Sequence, residues 1–497
     1  MTTNGVLVLL PELLILLTIV GLLLAEVGYY QERMRLVTLT ALLGVGSAFL
    51  QSLLSLLFGP VRAFDGMLTV DGLSIYFKIL AYMFALFSIV GISLSNRIRL
   101  DRRVEAYVFV LSSVLGVSIT VSSGHLLLTF FGLQLLCLST LFLIAIDGRN
   151  RISVEAAVKY FAPWVISSAC FLFGAGILFS VAHTFNLQEI HAALVAHELT
   201  RTSGLVVFLL FFISIGFQMG AFPAIHWVPD VLTGGVPVLS SLLVTLSRLA
   251  GFSVFIRLVS LFFSQSTDQP GTWRVLGQID WTVILSVCSG VTLLYGGLLA
   301  LRQKTILRRI GYLFVSQTGF LMMGVVVLND IGMGSMLFHL LIDGMAALGT
   351  IASLGGFFEG LPSDRFEDVQ GTFSVAAWES FCVVFFLASF VGIPPFPGFI
   401  AKFAMFESIL VQKWYLLALV GLVGMILNMV SVVELLMVLM GSGKGNQMVW
   451  AGADGSTQGI VLKKAFLVLL FLPLAGTLFF CENILNLSIQ VVRYILW

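Results

Sequence analysis

The sequence predicts an all-α polytopic membrane protein of about fourteen transmembrane helices, with two inverted five-helix repeats behind a three-helix lead-in and with helices seven and twelve broken. Three observations carry this prediction. The chain is 59% hydrophobic and 10% charged, well under half the ~25% charge of ordinary soluble domains, and its mean hydropathy is +1.06. Apolar runs near the ~20 residues that a bilayer-crossing helix needs recur along the whole length. Two of these runs are interrupted by prolines and glycines, which free backbone groups that lipid cannot satisfy, so the interruptions belong inside protein or beside water.

Residues 1–105 hold the lead-in, with spans at about 6–26, 36–59 and 71–95. Glu12, Glu26 and Asp71 stand near the ends of these spans, where a carboxylate reaches the headgroups or sits at a helix terminus. A charged turn, Arg97 to Glu105, follows. The first set of five fills residues 106–257, at about 106–122, 125–146, 155–181, 203–224 and 230–257. Within it, His183 to Thr202 alternates as a short amphipathic helix whose histidines, His183, His191 and His197, lack the i, i+4 spacing of a helix-borne metal pair. The second set fills residues 278–440, at about 278–301, 306–328, 332–357, 376–411 and 414–440. Residues 441–497 supply a glycine-rich flexible loop, Gly441 to Gly459, and a last span at about 463–491. An odd number of spans per set inverts the second set relative to the first.

The first interruption lies between Gly216 and Gly251, where Pro223, Pro229, Pro237 and the Gly234-Gly235 pair punctuate an apolar stretch that also holds His226, Asp230 and Arg248. The second, Val391 to Phe403, has Pro394, Pro395 and Pro397 beside Lys402. Matching breaks in two halves of a membrane chain mark a transport site. Five basic residues, Lys78, Lys159, Arg248, Arg257 and Lys402, fall within spans, and an intramembrane charge is a functional hypothesis by default. The other basic residues divide 16 to 5 between alternate sets of loops. Cytoplasmic loops retain Lys and Arg, so both ends are expected outside.

The five cysteines are far apart, in apolar spans and without a CxxC pair, so no metal or iron-sulfur centre is expected. A balance of 26 basic against 25 acidic residues suggests no nucleic-acid partner. No glycine-rich phosphate loop follows a strand, and the first apolar run has no basic leader.

A family likeness then comes from several fragments together. EAAVKYF (Glu155 to Phe161), the pattern P-x-x-x-W-x-P-D-V from Pro223 to Val231 with Gly234 and Pro237 after it, and GIPPFPGFIAKF (Gly392 to Phe403) resemble the antiporter-like membrane subunits of respiratory complex I, the proton-pumping NADH:quinone oxidoreductase. DGLSIYFK (Asp71 to Lys78) and KTILRRIGYLFVSQTGF (Lys304 to Phe320) extend the likeness over most of the chain. The lysine in the second break, the valine of WVPDV and the lack of a long lateral C-terminal helix are most similar to subunit N, also called subunit 2. The resemblance implies a non-redox subunit of a translocase in a bacterial inner membrane, multi-pass, beside other antiporter-like subunits and lipid. It also implies that NADH, FMN, iron-sulfur clusters and quinone belong to partner subunits.

The resemblance places a proton path at a glutamate in span five, lysines in spans seven and eight, a histidine or similar group in span ten and a lysine in span twelve. Here those positions are Gln134, Gln218, Arg248, Gln317 and Lys402. A glutamine keeps hydrogen bonds but does not titrate, and an arginine stays charged where a lysine can release its proton. Losing both partners of a buried ion pair is close to neutral, whereas losing one costs about 3–5 kcal/mol. The first repeat is therefore expected to keep its fold and lose its protonation switch.

An alternative relay has candidates in Lys159, His226, Asp230, His339 and Asp343. His339 and Asp343, four apart, share a helix face and are placed to pair, and a histidine tethered by a carboxylate titrates near neutrality. His226 stands one position from the family's histidine. Asp230, ahead of an apolar run, is expected to cap the eighth span. Lys159 has Glu155 one turn away, Glu407 or Glu434 is expected to balance Lys402, and Pro163 is expected to kink the sixth span. Three readings follow: a complex I subunit pumping by a rerouted path, a structural connector of that enzyme, or a subunit of a multisubunit cation/proton antiporter.

Overall fold

The computed structural model describes residues 9–27, 34–57, 59–95, 97–148, 150–196, 201–261, 263–264, 274–275, 281–358, 363–374, 376–441 and 457–493. Its lead-in helices are α1 (Leu10–Val27), α2 (Met34–Leu54) and α3 (Gly72–Leu94). The first set comprises α4 (Arg103–Ser122), α5 (Leu126–Ile144), α6 (Arg151–Ala182), the surface helix α7 (Leu187–Ala196), α8 (Arg201–Met219), α9 (Trp227–Gly234) and α10 (Pro237–Leu261). The second comprises α11 (Trp281–Arg302), α12 (Ile306–Val326), α13 (Asp330–Phe358), α14 (Ala377–Val391), α15 (Pro397–Val411) and α16 (Tyr415–Met440). The chain closes with α17 (Thr457–Phe479) and α18 (Cys481–Arg493). Twelve helices among the described residues are long and apolar enough to cross a membrane. The apolar α1 and the interrupted pair α14–α15 stand where the first and twelfth spans are expected.

The two sets pack alike. In each, the first two helices form the tightest pair, α4 with α5 and α11 with α12, and the third lies on the first half of the broken span, α6 on α8 and α13 on α14. Glycines let both tight pairs approach. A Cβ on Gly132 would lie 2.4 Å from Thr120 Oγ1, and one on Gly319 would lie 2.4 Å from the Leu293 nitrogen. Helices α10 and α12 are buried along nearly their whole length at the centre, while α2, α6, α11, α16 and α17 turn apolar faces outward to form the lipid-facing ring.

Loops alternate between two faces. On one, the 60–71 connection, the α4–α5 turn and the start of α7 are stitched together by Gly124 N–H to Met67 O, Leu126 N–H to Phe185 O and Leu187 N–H to Gly124 O. On the other, the α11–α12 turn joins the segment before α14 through Ile306 N–H to Asp364 O and Phe366 N–H to Lys304 O.

Several boundaries differ from the sequence reading. The seventh span ends at Met219 rather than 224, because Gly220 (φ +70°) turns the chain and Pro223 follows. Residues 227–234 form a separate short helix, α9, and the eighth span starts only at Pro237, a favourable first helical position because proline has no N–H to leave unpaired. The last span divides at Phe480 into α17 and a strongly amphipathic α18. A hairpin of β1 (Val61–Ala63) and β2 (Leu68–Val70) was not foreseen, although Asp65-Gly66 is a hairpin-turn signal. Helix α6 runs unbroken through Pro163. His197 and most of the Gly441–Gly459 loop lie outside the described residues.

The close glycine contacts yield a test. Gly319→Val should lower the thermal unfolding transition of the purified protein, by the equivalent of about 1–3 kcal/mol for overpacking. Gly21→Val, where a Cβ meets nothing within 4 Å, should leave it unchanged.

Candidate functional site: the two broken spans and the charges between them

A helix that stops inside a membrane leaves its last carbonyls without partners. In the second break, α14 ends at Gly392, whose φ of +82° lets its N–H and that of Ile393 both return to Ala388 O. The carbonyls of Phe390 and Val391 are left, and Lys402 of α15 takes them, its Nζ donating to Val391 O at 2.6 Å and Phe390 O at 3.5 Å. The negative end of the half-helix dipole favours such a cation. A Cβ at Gly392 would lie 2.8 Å from Lys402 Cδ, so this glycine serves both the turn and the seat. Lys402 also lies 5.0 Å from the centre of the Phe320 ring.

The first break is closed differently. Trp227 Nε1 donates to Phe217 O at 2.9 Å, Thr318 Oγ1 to Met219 O at 2.9 Å, and the Phe222 N–H to Thr292 Oγ1 at 3.0 Å. No charged group takes part in these contacts. Two of the three amides expected on the path have equally neutral partners. Gln134 Oε1 accepts from Trp164 Nε1 and its Nε2 donates to Ser168 Oγ, each at 2.8 Å. Gln218 Nε2 donates to Cys137 Sγ at 2.8 Å and its Oε1 accepts from Ser247 Oγ at 2.7 Å.

Between the breaks lies a fully buried polar group. Arg248 of α10 approaches Asp343 of α13, Nη2 to Oδ2 at 2.6 Å, and stacks 5.3 Å from the Phe314 ring. His339, one turn before Asp343, meets Gln317 of α12 instead, Nε2 to Oε1 at 3.3 Å. The His339–Asp343 pair expected from helix spacing therefore does not form: the arginine, carrying a full charge, takes the carboxylate. Arg248 Nε, Gln317 Nε2, His339 Nδ1 and Asp343 Oδ1 remain buried without a protein hydrogen bond.

Other expectations are corrected. Asp230 does not cap the eighth span; it lies in the first turn of α9 and faces Lys159 of α6 at 3.6 Å and Arg308 of α12 at 3.3 Å. Lys159 also pairs with Glu155 at 2.8 Å. Neither glutamate balances Lys402: Glu434 pairs with Arg309 at 3.0 Å, and Glu407 is exposed. His226 is exposed at the start of α9, 6.1 Å from the Tyr295 ring and away from the axis. Glu12, expected at headgroup level or at a helix terminus, stands in the first turn of α1, is buried and pairs with Lys78 at 2.6 Å. Asp71 caps α3 and binds Arg257, which accounts for another of the intramembrane charges. Pairings across helices far apart in sequence leave no local signal, so Arg248–Asp343 and Arg309–Glu434 were not legible in advance. No group of three or more potential metal ligands is found among the described residues.

The family model described as NADH:quinone oxidoreductase/Mrp antiporter, transmembrane, matches residues 123–428. The chain belongs to this family. NADH-quinone oxidoreductase subunit N of Methylovorus glucosotrophus is 29% identical over 410 residues, 81% of each chain. Among solved structures, a chain of the Mrp complex from Dietzia sp. DQ12-45-1b matches with a TM-score of 0.84 at 17% identity, covering 100% of this chain and 98% of that one. One of respiratory complex I from Thermus thermophilus matches at 0.76 and 21%, covering 96% and 99%. At these identities the two structures share the fold, and the family model covers both breaks and every residue of the buried group.

Two tests follow from the geometry. Asp343→Leu should destabilise the protein by about 3–5 kcal/mol, read as lost thermal stability, and Arg248→Met in the same chain should recover most of it, because the penalty is the unpaired buried charge. Gly392→Ala should reduce stability by at least about 1–2 kcal/mol, the cost of the left-handed backbone, with the close approach of its Cβ to Lys402 Cδ adding to the loss.

Proposed function

We propose that this chain is the antiporter-like subunit N of a proton-translocating NADH:quinone oxidoreductase, with a first repeat that no longer relays protons. The carrying observation is the contrast between the breaks: neutral Trp227 and Thr318 donors close the first, and the Lys402 ammonium closes the second. Gln134 and Gln218 bond only neutral partners, and an amide does not titrate, so neither exchanges a proton. Arg248 holds its charge against Asp343 and acts as a fixed counter-ion rather than a carrier. In the second half, Lys402, His339 and Asp343 are titrating types, and His339 Nδ1 and Asp343 Oδ1 are buried without a protein hydrogen bond.

On this reading the subunit carries no redox group. Hydride and electron chemistry, with NADH, FMN, iron-sulfur clusters and quinone, belongs to partner subunits, and neighbouring antiporter-like subunits and lipid cover the outward apolar helices. The chain lies in a bacterial inner membrane with both ends outside, the arrangement that puts its basic loops in the cytoplasm. The lysine-based cluster of Lys159, Asp230 and Arg308 then sits at the inner mouth of the first break and serves as a fixed electrostatic latch between α6, α9 and α12. The name of the curated relative supports this assembly over a cation/proton antiporter, whose likeness to the chain is one of fold.

The test is the number of protons moved per NADH oxidised by the purified complex in sealed vesicles. A ratio below that of enzymes with glutamate and lysine at the positions of Gln134 and Gln218 is expected; an equal ratio overturns the loss of relay. With the whole module silent, Lys402→Met should change that ratio little, and a complete loss of turnover in a complex that still assembles would show that this lysine is coupled to quinone reduction.

A further inference from the structure

The lead-in helices hold a charged cluster that neither break touches. Glu12 Oε1, in the first turn of α1, lies 2.6 Å from Lys78 Nζ of α3 and accepts from Ser118 Oγ of α4 at 2.6 Å. Ser118 Oγ is in turn 2.8 Å from Tyr82 OH. Three helices thus converge on one carboxylate oxygen, while the other, Oε2, is buried without a partner. Glu12 is 7% exposed and Lys78 2%. Along α3, Asp71, Lys78 and Tyr82 recur at i, i+7 and i+11 and share a face. At its outer end this stripe reaches Asp71, which pairs with Arg257 of α10 and keeps 15% of its side chain exposed. Of the helices that form this cluster or pack against it, α2 carries Arg35 and α4 carries Arg103 and Glu105 at their starts. Helix α10 carries Arg248 and α13 Asp343, which pair with each other, and α13 also carries His339. Asp330 of α13 pairs with Arg493 of α18, α17 carries Lys463 and Lys464, and α18 carries Glu482.

Helix packing alone does not account for the pair, since apolar residues of the same volume hold helices together as well or better than a buried ion pair. Its two members are an acid and a base in contact, an acceptor oxygen stands free, and Asp71, farther along the same face of α3, keeps 15% of its side chain exposed. We propose that Glu12 and Lys78 form a proton-exchanging site, reached from the face that bears Asp71 and separate from the Lys402 axis. A proton crosses from Lys78 Nζ to Glu12 Oε1; the N–H bond breaks with its electron pair left on nitrogen, an O–H bond forms, and no electron changes owner. The charged pair becomes an amine and a carboxylic acid without changing the buried net charge. Before that transfer, while Glu12 is still a carboxylate, Oε2 is where a proton arriving from the Asp71 end forms the O–H bond, Lys78 then keeping its own proton; the Ser118 and Tyr82 hydroxyls, each both donor and acceptor, extend the chain inward.

The test uses the full chain in its native membrane assembly, rebuilt into lipid vesicles, and pH-difference infrared spectroscopy. A protonated-carboxyl band should grow as the medium on the Asp71 side is acidified, shift in heavy water, and be absent in Glu12→Gln. Lys78→Arg keeps the charge and moves the midpoint of that band by about one pH unit or more if the two groups exchange a proton. A band that persists in Glu12→Gln, or a midpoint unmoved in Lys78→Arg, overturns the proposal and leaves the pair a fixed pin. Should Glu12→Gln fail to assemble, the Lys78→Arg midpoint alone decides between the two.

Discussion

A backbone that stops being helical inside a membrane must still satisfy its polar groups, and the rest of this structure is arranged around how it does so twice. In the second break the solution is a lysine pressed onto the end of a half-helix, with a glycine opposite to make room. In the first it is an indole and a hydroxyl. Both solve the same problem of unpaired carbonyls. Only the first solution is indifferent to protonation, because a lysine that gives up its proton weakens its hold on the carbonyls it binds, while an indole N–H has nothing to give up.

The central charges extend this difference across the molecule. Arg248 belongs to the first set of helices and Asp343 to the second, so one ion contact ties the halves together at mid-membrane. Desolvation makes such a contact weak as a source of stability and strong as a constraint, since neither charge tolerates the loss of the other. The carboxylate that pairs with the arginine is therefore unavailable to His339, which turns to Gln317 instead. A lysine at the arginine's place would free Asp343 whenever it lost its proton, and the whole axis would gain a second state.

Much of this was legible in the residues. The span count followed from apolar length, and the breaks followed from Pro223, Pro229, Pro237, Pro394, Pro395 and Pro397, because lipid restricts backbone choices more severely than water does. The ends of the broken helices were misplaced where a glycine rather than a proline sets the turn, as at Gly220. Glu12 shows the limit most clearly. Its place near a span end was read correctly, yet its burial depends on Lys78 and Ser118, more than sixty and a hundred residues away. Periodicity reports which face of a helix is apolar, and partners at that distance fall outside any window it can use.

The amphipathic helix α18 packs across the ends of α13 and α3, with Ile489 against Gly334, Val491 over Gly72 and Arg493 bound to Asp330. Because α18 lies after every spanning segment in the chain, this clasp between the lead-in and the second set cannot fasten until nearly all of the sequence has left the ribosome. Until then the seam it covers is held by neighbouring helices alone, and a truncated product that stops before residue 481 would enter the bilayer with its bundle inserted but unlatched.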